Sequence, residues 1–245
     1  MKVTKWWKKL SATIVAAGIW VPGAYAVSIP GDPSFEAFTV PAIGYAYADT
    51  YRPTSAWVDD LDSPAGYVED NSSSAWLYAA TYAENPTFSR RAAPRTGNQA
   101  MHGLANYSAQ ETAAVFEAGQ KYVFSIWAQN DELLNDSNGL YMYIFDGTVP
   151  FSDANALSSQ FFATEIPARG AGMTAAQSQA NWVQLSIEHL VGAGAPEIGH
   201  PVGVGFFARR DTAVDDASLD VIPEPGTLIL VGMSGLSVLA LRRRR

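Results

Sequence analysis

The chain has 245 residues, of which 48% are apolar, 12% aromatic and only 16% charged, which suits one large all-β domain or two small ones and argues against intrinsic disorder. The formal net charge of −8 hides a partition: Lys2, Lys5, Lys8 and Lys9 at one end and Arg242, Arg243, Arg244 and Arg245 at the other leave eight of the 16 cations to offset 24 acids, so the rest of the chain carries about −16, which argues against nucleic acid as a partner. With no cysteine, disulfides, thiolate metal sites and a Cys nucleophile are excluded, and the domain must be held by packing or by a hard cation such as calcium.

Residues 1–26 have the layout of a secretory signal peptide: a basic start, an apolar run over residues 10–21, Pro22-Gly23, and the small-residue site Ala24-Tyr25-Ala26. The apolar run is shorter than the ~20 residues a membrane span needs. The mature chain is expected to begin at Val27.

Between residues 45 and 82, eight rings (Tyr45, Tyr47, Tyr51, Trp57, Tyr67, Trp76, Tyr78 and Tyr82) are interleaved with Asp, Asn and Ser. Trp57 beside Asp59 and Asp60, and Trp76 after the polar residues 71–74, pair a flat ring with hydrogen-bonding groups, as a sugar ring requires. The same rings could equally pack a β core.

Four segments further on read as strands. Residues 121–128 follow the turn-like Glu117-Ala118-Gly119-Gln120, and residues 202–207 set Val202, Val204 and Phe206 on one face. Residues 182–188 place Val183, Leu185 and Ile187 on one side and polar or amphipathic residues on the other. Residues 140–145 put Leu140, Met142 and Ile144 on one face and Tyr141, Tyr143 and Phe145 on the other, so both faces need cover or use, and Tyr141 with Tyr143 offers a second ring platform. Turn residues recurring every ten to fifteen positions fit a β-sandwich over residues 27–221.

The chain closes with Pro223-Glu224-Pro225-Gly226, an apolar stretch over residues 227–241, and the four terminal arginines. Fifteen helical residues rise roughly 22 Å, a marginal span that snorkelling arginines extend, with the arginines on the cytoplasmic side. This three-part tail resembles the PEP-CTERM sorting signal of exopolysaccharide-producing Gram-negative bacteria. The resemblance implies recognition through Pro223, Glu224 and Pro225 and removal by an integral-membrane exosortase, with residues 222–245 as a transient membrane tether.

The order of Pro33-Ser34-Phe35-Glu36, Gly97-Asn98-Gln99-Ala100, Ala118-Gly119-Gln120-Lys121-Tyr122, the Trp182 segment and Asp215-Asp216-Ala217-Ser218-Leu219 is similar to the galactose-binding-like jelly roll shared by several families of carbohydrate-binding modules. That resemblance implies a structural calcium at Glu36 and Asp216, with Asp215 as a further carboxylate; solvated strand-end acids are the alternative.

Little points to catalysis. His102, His189 and His200 share no metal-ligand spacing and read as surface or loop residues, and no His-Glu-x-x-His, Gly-x-Ser-x-Gly or phosphate loop is present. The expectation is therefore an all-β, single jelly-roll sandwich, non-catalytic, exported, and associated with extracellular polysaccharide. A structural matrix protein without a ligand and an exopolysaccharide hydrolase acting through a carboxylate pair are the alternatives.

Overall fold

The computed structural model describes residues 25–27, 45–47, 58–59, 76–79, 92–97, 99–103, 106–131, 138–149, 151–170, 172–209 and 212–224. In chain order these form β1 (Tyr25–Val27), β2 (Tyr45–Tyr47), β3 (Val58–Asp59), β4 (Trp76–Ala79), β5 (Gln99–Gly103), β6 (Asn106–Val115), β7 (Gln120–Asn130), β8 (Leu140–Asp146), β9 (Ala156–Phe162), the short helix α1 (Ala175–Gln179), β10 (Val183–Leu190), β11 (Pro201–Ala208) and β12 (Thr212–Pro223). The first sheet has the order β10-β7-β12-β5-β4-β2, with β1 also beside β12, and the second has the order β3-β6-β11-β8-β9. Every named strand pair is antiparallel, and the two sheets stack as a β-sandwich of jelly-roll type.

Strict alternation explains the core. From the first sheet, Tyr122, Phe124, Ile126 and Ala128 of β7, Leu185 and Ile187 of β10, and Val214 and Leu219 of β12 face inward. They meet Leu140, Met142 and Ile144 of β8 and Val202, Val204 and Phe206 of β11. β7 and β11 each lie inside their sheet, so both of their edges are paired.

The chain crosses from the second sheet to the first through residues 116–119. Gly119 takes φ +73°, a left-handed conformation that glycine adopts without penalty, and Phe116 is fully buried. The buried Tyr122 hydroxyl ties this crossing down, donating to the Val115 carbonyl at 2.6 Å and accepting from the Glu117 amide at 2.8 Å. At this end of the sandwich β6 stops, β7 starts, β10 turns into the loop 191–200, and β12 leaves. This is the exit end of the sandwich.

Two features differ from expectation. Trp182 precedes β10 and is buried rather than on a polar face: its indole Nε1 donates to the Ala93 carbonyl at 2.9 Å, because residues 92–97 lie across the outside of the first sheet. His189 lies within β10, half-buried between the sheets rather than at the surface, and its Nε2 contacts buried Glu197 Oε1 at 3.0 Å. His200 also has an acid partner, Asp146, at 2.7 Å. Among the described residues no helix is long and apolar enough to cross a membrane.

Candidate functional site

The outer face of the second sheet carries a layer of aromatic rings. Because β8 alternates, Leu140, Met142 and Ile144 go to the core and Tyr141, Tyr143 and Phe145 go outward. The strand beside it, β11, sets Gly203 opposite Phe145 and Gly205 opposite Tyr143. The Phe145 ring lies where a Cβ on Gly203 would stand, so an alanine there would displace it. Phe151, from the loop after β8, packs on Tyr143 at 5.2 Å and on Phe145 at 4.9 Å between ring centroids.

The layer is closed at one end and open at the other. Tyr143 and Phe145 are 3% and 4% exposed beneath Phe151, so Tyr143 offers no free ring face. Away from the exit end, Tyr141 is half-buried, 4.3 Å from the ring of Phe161 and 6.1 Å from that of Phe207. Phe161 is 37% exposed, and the Arg209 guanidinium sits 5.5 Å from its ring centre. Tyr141, Phe161 and Phe207 thus form a shallow aromatic shelf with a cationic hydrogen-bond donor at its rim. Phe161 and Phe207 escaped the sequence reading, although Phe207 sits opposite Tyr141 in register and Phe161 is its neighbour on β9.

The other sugar-binding candidates are not gathered here. Asp59 lies on β3, at the far edge of the same sheet, where its backbone sits opposite Ser108. Trp76 lies on β4 of the other sheet, opposite His102. Trp57 and Asp60 lie outside the described residues, as do Glu36, Ala24, Pro225, Arg242, Arg243, Arg244 and Arg245.

Asp215 and Asp216 occupy a bulge in β12, where the register shifts between Asp215 and Ser218 and Asp216 takes φ +46°. Asp215 is fully buried and accepts from the backbone amides of Arg95 at 2.9 Å, Thr96 at 3.2 Å and Asp216 at 2.8 Å. Burial, and then the neighbouring Asp216 charge, hold its carboxyl well above the usual carboxylate range despite those amides. Asp216 is paired through Oδ2 with the Arg95 guanidinium and accepts from Thr96 Oγ1 at 2.6 Å. Arg95 in turn lies 3.7 Å over the Trp127 ring. Both Asp216 oxygens are therefore engaged by protein groups, and the arginine supplies the positive charge that a cation would bring. Among the described residues no group of three His, Asp or Glu is placed to hold a metal ion.

The C-terminal motif begins inside the fold. β12 stays paired with β7 through Val221 opposite Tyr122, Ile222 opposite Lys121 and Pro223 opposite Gln120, and the Glu224 amide donates to the Gly119 carbonyl at 3.0 Å. On the other side of β12, Tyr25, Ala26 and Val27 pair with Val221, Asp220 and Leu219. The expected signal-cleavage residue Ala26 and the sorting residue Pro223 thus lie at the same end of adjacent strands.

No curated protein matches the chain. Among solved structures, the fold is similar to a cyclase from Fischerella sp. TAU, with a TM-score of 0.59 and 12% identity over 82% of this chain and 98% of the cyclase. It is also similar to the Stig cyclase Fisc from the same organism, solved with (3Z)-3-(1-methyl-2-pyrrolidinylidene)-3H-indole, at a TM-score of 0.57 and 13% identity over 82% of this chain and all of that one (100%). A CBM22-1 xylan-binding domain from Paenibacillus barcinonensis Xyn10C overlays with a TM-score of 0.38 and 10% identity, over 69% of this chain and 88% of that domain. The cyclase likeness bears on the fold alone. The tail is matched directly: the chain carries a PEP-CTERM protein-sorting motif at residues 221–245, joined without a spacer to the last strand of the β-sandwich.

Proposed function

We propose that this is a non-catalytic protein, exported through its N-terminal signal, held transiently in the inner membrane by residues 227–241, and released or attached at the cell surface after exosortase acts on its PEP-CTERM tail. The observation that carries the sorting is the match over residues 221–245, which implies exosortase-dependent export. We further propose that the sandwich associates with extracellular polysaccharide through the shelf of Tyr141, Phe161 and Phe207. Axial C–H groups of a sugar stack on the exposed Phe161 ring, while Arg209 donates to hydroxyls. Asp59 lies on the opposite edge strand, β3, and we keep it, with Trp57 and Asp60 beside it in sequence, as a second candidate contact for a long chain.

The test is to incubate the exported protein with the exopolysaccharide of its own host and follow both retention and release of reducing ends. Retention without turnover is expected, and Phe161→Ala should weaken it about tenfold, the equivalent of ~1.4 kcal/mol for one stacked ring. Turnover would make the protein a hydrolase, and absence of both would make it a structural matrix component.

Calcium at Glu36 and Asp216 is a separate proposal, and it requires Arg95 to release Asp216. Calcium bound here would make the melting temperature fall in EDTA, and Asp216→Asn would abolish that fall; a melting temperature unchanged by EDTA removes calcium from this position and leaves Arg95 as the partner of Asp216.

A further inference from the structure

Five large apolar side chains are exposed among the described residues, and four of them sit at the exit end: Val115, Val149, Leu190 and Ile198, at 44%, 37%, 48% and 38% exposure. Their placement follows from register. Val115 ends β6 opposite Pro201, Leu190 ends β10 opposite Lys121, Val149 follows the turn after β8, and Ile198 lies in the loop leading to β11. Pro223 pairs with Gln120 at this same end, so β12 leads into the sorting tail at the end of the sandwich that carries these four side chains.

The path from the fold to the apolar stretch is short. Glu224 is bound to Gly119, and Thr227 begins the apolar run three residues later, a reach of at most about 10 Å. The headgroup layer of a bilayer leaflet is itself only about 6 Å deep. At the other terminus, β1 starts at Tyr25 opposite Val221, so the strand that follows the N-terminal apolar run in sequence also begins at this end. Both membrane-directed segments therefore border strands at one end of the sandwich, and among the described residues that end carries four of the five exposed large apolar side chains.

We infer that the exit end is a membrane-docking surface: while the chain is tethered, Val115, Val149, Leu190 and Ile198 rest in the headgroup layer of the bilayer that holds residues 227–241. This rests on the anchor reading of the tail given above. Exposed Glu117, and Glu188 paired with Lys121 at 3.0 Å, lie beside the four apolar groups, so the surface suits neutral rather than anionic lipid.

The chain has no native cysteine, so single labels are clean. Full-length protein carrying an environment-sensitive fluorophore at Leu190→Cys, Ile198→Cys, Gln179→Cys or Ser234→Cys would be reconstituted in phosphatidylcholine vesicles whose acyl chains are brominated. Loss of emission is expected at 190, 198 and 234 and not at 179, which is exposed on α1 at the far end. A flexible Gly-Ser insert after Gly226 should abolish quenching at 190 and 198 while leaving it at 234. Quenching at 234 with 190 and 198 behaving like 179 overturns the docking surface and leaves the anchor standing; no quenching at 234 overturns the anchor and the docking surface with it. Shielding of 190 and 198 only in membranes containing exosortase would assign the surface to that protein and overturn the lipid assignment.

Discussion

Replacement of Pro223, Glu224 and Pro225 together by alanine is expected to leave the chain unprocessed and retained in the inner membrane, with essentially none outside. The tripeptide stands between a folded strand and a short apolar run closed by four arginines, and its two prolines favour the extended backbone that a protease at the membrane surface can read. Its first two residues are not free: Pro223 is the last residue paired in β12 and the Glu224 amide is bound to Gly119. Proline tolerates this position because it ends the strand, where its missing N–H removes no interior ladder bond. Fractionation followed by immunoblotting decides the matter: a triple-alanine chain processed and exported at the normal rate would remove the recognition assignment.

The second large effect is on stability. Asp215→Ala should cost about 3 kcal/mol, because it strips the acceptor from three backbone amides, those of Arg95, Thr96 and Asp216, in a fully buried bulge. The Arg95 and Thr96 amides anchor residues 92–97, which in turn contact Trp127 and Trp182. Asp215→Asn keeps an acceptor and separates charge from geometry. The folded-state pKa of Asp215 is raised above its unfolded value near 3.8, so the folded state holds the proton more tightly. The stabilisation this gives is fully present below the unfolded value and is lost as pH rises through the folded one. Relative to wild type, Asp215→Asn should therefore gain stability as pH rises from acid toward neutral. Urea titrations across that range measure it, and a difference that is flat with pH, or an Asp215→Ala cost below about 0.5 kcal/mol, would contradict the role given to this carboxylate.

Asp146 titrates in the opposite sense. Partial burial raises its pKa, but hydrogen bonds from Thr148 and His200 outweigh that and hold it below the usual range. Its contribution is present at neutral pH and fades in acid.

Much of the sandwich was legible because its interior strands alternate strictly. β7, β8, β10 and β11 each present an uninterrupted apolar row, and each lies where that row predicted. β9 was not legible: Ala-Leu-Ser-Ser-Gln-Phe-Phe is an edge strand with one mostly open face, and its pattern carries no clean period. The burial of Trp182 and the pairing of Asp216 with Arg95 depend on contacts 89 and 121 residues apart in the chain, which no local pattern encodes.

The ring platform was half legible. The face of β8 announced Tyr141 and Tyr143 as a pair, and their rings do stack at 6.2 Å, but a loop residue, Phe151, covers Tyr143, so the open part of the platform is Tyr141 with Phe161 and Phe207. The sorting tail was legible as a linear motif, since its recognition elements are contiguous. Its fusion to the end of β12 was not, because Pro-Glu-Pro reads as a break, and only the register with Gln120 shows that the ladder reaches it.

The mass of the protein recovered outside the cell tests export and tail removal together. Intact-mass measurement should give a chain beginning at Val27 and lacking residues 227–245, with the sandwich whole. An extracellular chain that still carries the apolar run and its four arginines would contradict tail removal.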